Sequence, residues 1–194
     1  MINYIIPQYC HSHLYGWWSD LFTNDELDWL QAEAKTAHRP GLIGSEKSEV
    51  SDTSYRSTKI VGLECTKDNM WVYNKIAYVV SRLNATLFRL ELTGFGEQIE
   101  LCNYSSLESG KYDWHLDFNT KGISRKMSLV CQLSNPGEYE GGKLQLKISE
   151  EEQIIEKKRG LITVFPSYIL HRVTPVTSGT RQSLVCWITS PNFR

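Results

Sequence analysis

Several absences narrow the classes open to this chain. The five cysteines, at positions 10, 65, 102, 131 and 186, are odd in number and never form a C-x-x-C pair, so neither a disulfide framework nor a zinc knuckle is indicated. Three of them lie in apolar runs, the pattern of reduced, buried thiols in a cytoplasmic protein. No apolar run approaches the length needed to cross a bilayer, and the opening residues Met1 to Gln8 lack the basic stretch that precedes the apolar segment of an export signal. Charge of one sign is not in excess either. With 21 basic and 22 acidic residues the formal charge is -1, and no stripe of Lys and Arg is available to neutralise phosphates. Nucleic acid and membrane surfaces are therefore not expected partners. Internal repeats and low-complexity segments are missing too.

What is present suits one substantial core. A chain of 194 residues with 41% hydrophobic and 11% aromatic content is short for two independent domains, so a single domain over 1–194 is expected. Thr23-Asn24-Asp25-Glu26 has the form of a capping box ahead of Leu27, Leu30 and Ala34, which predicts a helix to about Ala37. Residues 39–55 turn to Gly, Ser, Glu and Lys without periodicity and read as a mobile surface loop, a candidate lid. Thr66 to Leu83 returns to helical spacing, with Tyr73, Ile76, Ala77, Val80 and Leu83 on one side.

After Asn84 the period falls from about 3.6 to 2. Strands are expected over Phe88–Leu92, Ile99–Tyr104, Met127–Leu133, Lys143–Ile148, Leu161–Phe165 and Arg181–Ile188, and the charged stretch Glu150–Arg159 reads as a solvated loop or hairpin. The fold class is mainly β with N-terminal helices (α+β): helical support over about 20–84, and a sandwich or jelly roll over about 86–190.

Candidate chemistry starts at His115-Leu116-Asp117. On an extended strand residues two apart project to the same face, so the imidazole and carboxylate could share a cation. Alone the pair is weak, since about 0.2 such matches arise by chance in this composition. His171 follows the expected strand Leu161–Phe165 and the turn Pro166-Ser167, where a neighbouring strand would begin. Two His and one carboxylate on one side of an ion leave three open positions, an arrangement that suits Fe(II) taking a bidentate 2-oxo acid and then dioxygen. Structural zinc would need a fourth ligand.

Alternation places Arg181, Ser183, Val185 and Trp187 on one face of the last strand. A lone Arg is more often in a surface ion pair. An inward guanidinium beside a metal instead predicts an anionic ligand, with the Ser183 hydroxyl as a second donor.

These residues sit in stretches that resemble the 2-oxoglutarate- and iron-dependent oxygenases, specifically the prolyl 4-hydroxylase-like branch with the bacterial PKHD-type hydroxylases. The stretches are Leu101–Tyr104, Tyr112–Asp117, Gly141–Leu144, Gly160–Ser167, His171–Val173 and Pro175–Ser183, then Trp187, within about Tyr55 to Pro191. The resemblance implies a double-stranded β-helix (jelly roll), iron ligation by His115, Asp117 and His171, and a pairing of Arg181 with the distal carboxylate of 2-oxoglutarate. It also implies supporting contacts from Tyr104 and Ser183. The activity implied is hydroxylation of a C–H bond in a protein residue (prolyl-type), a free amino acid or another small metabolite, with release of succinate and CO2 and with ascorbate as reductant. Gln132 departs from the pattern, because some relatives place a co-substrate-holding tyrosine there. The sequence leaves the oligomeric state open.

Two other functions compete. A non-catalytic jelly-roll module could hold a metal or acid without turnover, and a cupin-like dioxygenase could work without 2-oxoglutarate; Arg181 discriminates against the latter. The stretch Cys10-His11-Ser12-His13 is isolated and reads as a polar strand or loop, while Trp17, Trp18, Trp29 and Trp114 read as packing. Arg56 and Lys59 read as facing water, although an acidic substrate could use them.

Overall fold

The computed structural model describes residues 14–43, 50–118 and 124–191; Cys10-His11-Ser12-His13 and residues 44–49 lie outside them. Among the described residues there are two α-helices and fourteen strands. Helix α1 (Asn24–Lys35) starts at the expected capping box: Thr23 accepts from the Glu26 N–H at 3.2 Å, and Glu26 accepts from the Thr23 N–H at 2.8 Å. Helix α2 (Met70–Leu83) buries Val72, Tyr73, Ile76, Val79, Val80 and Leu83. Ala77 is only partly buried.

Strands β1 (Gly16–Trp18), β2 (Arg39–Pro40), β3 (Arg56–Ser57), β4 (Lys59–Leu63), β5 (Gly94–Phe95), β6 (Ile99–Ser105) and β7 (Lys111–His115) precede the second half of the chain. There follow β8 (Arg125–Gln132), β9 (Tyr139–Gly141), β10 (Leu144–Lys147), β11 (Glu152–Ile154), β12 (Ile162–Pro166), β13 (Leu170–Val173) and β14 (Val176–Thr189). The larger sheet runs β1-β12-β8-β14-β6-β4-β2, with β5 and β9 also on β14; the smaller runs β11-β10-β13-β7-β3. All pairings are antiparallel. The charged stretch from Glu150 contributes β11, one arm of a hairpin with β10.

Alternation along the central strands divides the interior in two. Leu129, Cys131, Leu184, Cys186, Ile99 and Leu101 point from the larger sheet toward α1 and α2 and form one core with Leu30 and Ile76. The intervening residues, among them Val130, Cys102, Tyr104 and Phe165, point the other way and meet Leu144, Leu146 and Val173 of the smaller sheet. The polar residues of the second set, Ser128, Gln132, Arg181 and Ser183, are buried there as well. The functional groups therefore lie between the sheets, and the helices only back the larger one.

Four local expectations differ from what is found. Phe88–Leu92 is not a strand: α2 runs on into a π-turn over Asn84–Phe88, and Arg89 takes φ 54°. The Asn84 side chain clamps that bend, accepting from the Leu90 N–H at 2.9 Å and donating to the Leu90 carbonyl at 2.8 Å. Strand β14 begins at Val176 rather than Arg181, because its first residues pair with β9. Cys102, Cys131 and Cys186 are buried free thiols as expected, but Cys65 is exposed. Trp17 is 63% exposed, so it is not core. It lies on the edge strand β1, which has a partner on one side only.

Leu129→Ala, in a fully buried position, is expected to cost about 2–5 kcal/mol in chemical denaturation, and Thr23→Ala about 1 kcal/mol through loss of the cap. A Leu129→Ala variant as stable as the parent would show that this position is not in the core.

Candidate metal centre and anion pocket

Strands β7 and β13 pair with His115 directly opposite His171. Asp117 lies two residues beyond the end of β7, so the sheet does not hold it; its N–H donates to the Ser167 carbonyl at 3.0 Å instead. Its Oδ2 accepts from the Ser128 hydroxyl at 2.7 Å, and Ser128 in turn meets Ser167 Oγ at 2.9 Å. His115 Nε2 is 3.7 Å from Asp117 Oδ1, and His171 Nε2 is 3.3 Å from Asp117 Oδ2. Candidate ligand atoms of the three residues all fall within 4.8 Å of one another. An ion about 2.0–2.2 Å from each donor would bridge such separations.

The protonation pattern fits a metal. His115 Nδ1 contacts the Asp113 carbonyl at 2.7 Å and His171 Nδ1 the Ile169 carbonyl at 2.9 Å. Carbonyls only accept, so each Nδ1 donates to its carbonyl and each Nε2 faces inward toward Asp117, where it can serve as a ligand once it carries no proton. Burial, reinforced by the neighbouring His171, pushes the His115 pKa down to about 3, which leaves the ring neutral. Burial alone would raise Asp117, but the charge and hydrogen bond of His171, then His115 and the Ser128 hydroxyl, outweigh it and keep the carboxyl ionised. Burial alone would lower His171, yet Asp117 beside it raises its pKa. A cation entering here would displace that proton. Two imidazoles and one carboxylate leave coordination positions open, the donor set suited to Fe(II).

Deeper between the sheets lies Arg181, 1% exposed. Its Nη1 donates to Ser183 Oγ at 3.2 Å and its guanidinium lies 5.1 Å from the Tyr104 ring centroid, while Nε and Nη2 make no hydrogen bond. A buried guanidinium with two unused donor atoms calls for an anion. The pair Gly141-Gly142 brings the chain close to it. Both glycines have positive φ, a Cβ on Gly141 would strike the Pro175 carbonyl, and one on Gly142 would lie 3.0 Å from Arg181 Cδ. Arg181, Ser183 and Tyr104 line the same small cavity as His115, Asp117 and His171. Gln132 pairs with Ser183 across β8 and β14, and its Oε1 is buried without a partner.

Arg56, Glu100 and Tyr139 of this region were not assigned to the site from sequence, and Tyr112, which flanks the ligands and could touch substrate, takes an unexpected position. Tyr112 stacks on His115, with ring centroids 3.4 Å apart. Strict alternation would put it on the opposite face, but the β7–β13 register shifts between His171 and Val173, so three residues of β7 span two of β13. Arg56, read as solvent-facing, pairs with Tyr112 across β3 and β7, its guanidinium 4.5 Å from the Tyr112 ring and its side chain only 11% exposed. Lys59 behaves as expected, in an exposed ion pair with Glu108. Trp114 packs under the Arg172 guanidinium at 4.4 Å. Glu100 lines both the small cavity and a cleft of about 730 Å³ that opens from it. The Tyr139 hydroxyl is buried without a hydrogen-bond partner beside Arg181. A polar side chain at an inward strand position was the one available signal, and for Glu100 it was readable in Ile99–Tyr104.

Comparison with known proteins agrees with this geometry. Residues 99–189 match the family model described as 2OG-Fe(II) oxygenase superfamily. A PKHD-type hydroxylase of Prochlorococcus marinus is 42% identical over 86 residues, 44% of this chain and 39% of its own length. Another from Rippkaea orientalis is 31% identical over 118 residues, 60% of this chain and 47% of its own. The matched stretches thus span less than half of those relatives. Among solved structures, a Pseudomonas putida prolyl-4-hydroxylase superposes with a TM-score of 0.73 at 21% identity, covering 91% of this chain and 93% of that one. A Trichoplax adhaerens prolyl hydroxylase, solved with a hypoxia-inducible-factor peptide, superposes with a TM-score of 0.76 at 16% identity, covering 91% and 84%. At these identities the likeness is one of fold.

His171→Ala is expected to abolish tight Fe(II) or Co(II) binding in calorimetry, and Ser128→Ala to weaken it about 10–100-fold by freeing the Asp117 carboxylate. Full affinity in His171→Ala would remove the histidine from the ligand set.

Proposed function

We propose that this chain, which carries the 2OG-Fe(II) oxygenase sequence over residues 99–189 and resembles the prolyl 4-hydroxylase-like branch, is an Fe(II)- and 2-oxoglutarate-dependent hydroxylase built on a double-stranded β-helix. The described helices and sheets form its single domain. The observation that carries this reading is the buried Arg181, with unused donors, in the same cavity as the His115, Asp117 and His171 triad. A dioxygenase without an acid co-substrate has no use for such a cation, while a non-catalytic module that held metal and acid would form no succinate.

In this reading His115, Asp117 and His171 hold Fe(II), which supplies the activation of dioxygen. Arg181 and the Ser183 hydroxyl bind the distal carboxylate of 2-oxoglutarate, with the Tyr139 hydroxyl as a further donor; Tyr104 forms the wall beneath the guanidinium. The cavity wall excludes water from the reacting atoms. The products are succinate, CO2 and a hydroxylated C–H of a protein residue (prolyl-type), a free amino acid or a small metabolite. The wide cleft, bordered by Arg39, Pro40, Leu42, Ile43 and Tyr55, is where that substrate enters.

Purified protein with Fe(II), ascorbate, 2-oxoglutarate and air is expected to form succinate slowly without added substrate, and to stop when oxygen is withdrawn or His115 is replaced by Ala. Arg181→Ala should weaken 2-oxoglutarate binding about 10–100-fold. No succinate, together with no calorimetric binding of 2-oxoglutarate to the metal-loaded protein, would sink the assignment. Proteolytic cleavage within 39–55 should slow when metal and 2-oxoglutarate are bound; an unchanged rate would remove that segment from the site.

A further inference from the structure

Two side chains on the cleft wall sit in ion-pair range without a hydrogen bond between them. Arg56 Nη2 and Glu100 Oε2 are 3.7 Å apart, beyond hydrogen-bonding distance. Arg56 Nε and Glu100 Oε2 are both shut off from solvent and have no hydrogen-bond partner, while Arg56 Nη1 is used on the Leu42 carbonyl at 3.0 Å. The next ion pair along the wall shows what closure looks like. Arg125 grips both carboxylate oxygens of Glu97, at 2.5 and 2.6 Å, under the Trp187 ring. The open pair belongs to the reaction space, since Arg56 and Glu100 line the small cavity at His115 and Asp117 as well as the wide cleft. Arg56 is also tied to the metal centre through Tyr112, which stacks on His115.

Unmade hydrogen bonds on buried charges are costly, and they specify what would relieve them. An anionic substrate would satisfy Arg56 and be repelled by Glu100; a cationic one would do the reverse. An apolar group would leave both unmet. A group with an anion and a cation side by side completes both, and its charges must be about as close together as the two it faces. In an α-amino acid, standard bond lengths put the amine nitrogen about 2.5 Å from the carboxyl carbon. Set against the 3.7 Å separation of Arg56 and Glu100, this makes a compact square of alternating charge. An internal peptide unit offers only neutral N–H and C=O groups, whose hydrogen bonds are roughly half as strong as charge-assisted ones.

We propose that Arg56 and Glu100 form the head-group subsite for the second substrate, a free α-amino acid, with its carboxylate on Arg56 and its ammonium on Glu100. The inference rests on the hydroxylase reading and names the substrate class within it. Seated there, the amino acid lies beside Tyr112 and the ligand His115, with its side chain free to reach the open side of the metal.

The test uses the full chain loaded with Fe(II) and 2-oxoglutarate. Each protein-forming L-amino acid is offered free and as its N-acetyl amide; binding is read by anaerobic calorimetry and turnover as succinate in air. At least one free amino acid should bind and raise succinate formation tenfold or more over the substrate-free rate, with its capped form inactive. Glu100→Gln and Arg56→Lys should each raise the amino acid's Kd at least tenfold more than that of 2-oxoglutarate, with circular dichroism showing that the variants fold. Equal stimulation by a capped form would overturn the proposal in favour of a peptide substrate. Slow succinate formation that no amino acid accelerates would also overturn it, while leaving the hydroxylase reading intact. Loss of both succinate formation and 2-oxoglutarate binding would instead remove the reading beneath it.

Discussion

A guanidinium enclosed in protein is stable only if something nearby answers its charge, and the interior between the two sheets is arranged around that constraint. Arg181 is the largest fully buried side chain in the described structure. It has a serine hydroxyl, a tyrosine ring and a second tyrosine's hydroxyl around it, but no carboxylate among the described residues pairs with it. The glycine pair at 141–142 lets the chain close over it, and the long strand β14 carries it inward in register with Ser183, Val185 and Trp187. The same strand buries Leu184, Cys186 and Ile188 on its other face against the helices. A one-residue slip of β14 would send both sets to the wrong side. The apolar core and the polar site therefore enforce one register between them.

The contribution of the helices follows from this. Their apolar faces, with Leu27, Leu30, Ile76 and Val80, cover one side of the larger sheet and supply none of the described residues that line the small cavity. Without that cover β8 and β14 would be exposed on their apolar side, and the alternation that buries Ser128 and Arg181 would lose its driving force. The support given by residues 20–84 is thus energetic. The exceptions are β3 and its neighbours, which the chain threads between the two helices so that Arg56 reaches the rim of the metal centre.

Legibility of the sequence tracks the simplicity of the local rule. A strict period of two exposed most of the major strands, and it placed Arg181, Ser183, Val185 and Trp187 on one face. His115 and Asp117 were readable as a pair although β7 stops at His115, because the chain stays near enough to extended for both to point inward. Where a second rule intervenes, the period fails. The register shift opposite His171 turned Tyr112 inward, and no pattern in Tyr112-Asp113-Trp114-His115 signals a bulge whose cause is the partner strand. Asn84 folds its side chain onto Leu90 and replaces an alternating stretch with a π-turn. Arg56 was not readable, since a two-residue strand has no period, and its burial depends on Tyr112 and Glu100 from distant parts of the chain.

The manner in which the three ligands are held differs, and the difference bears on how the centre can work. His115 and His171 sit in paired strands and are further fixed by their own Nδ1 hydrogen bonds to carbonyls, so their Nε2 positions are set by the sheet. Asp117 stands outside the strands and is placed by a backbone bond to Ser167, just past β12, and a hydroxyl bond from Ser128, within β8 of the opposite sheet. The carboxylate thus ties one sheet to the other at the mouth of the interior. Its Oδ2 accepts from the Ser128 hydroxyl, and a bond there turns that oxygen partly away from a cation and works against a carboxylate giving both oxygens. Under the proposed function, a carboxylate that gave both oxygens would leave fewer positions for an acid co-substrate and dioxygen. Ser128 and Ser167, which look like ordinary core polar residues in sequence, therefore help keep the third position available.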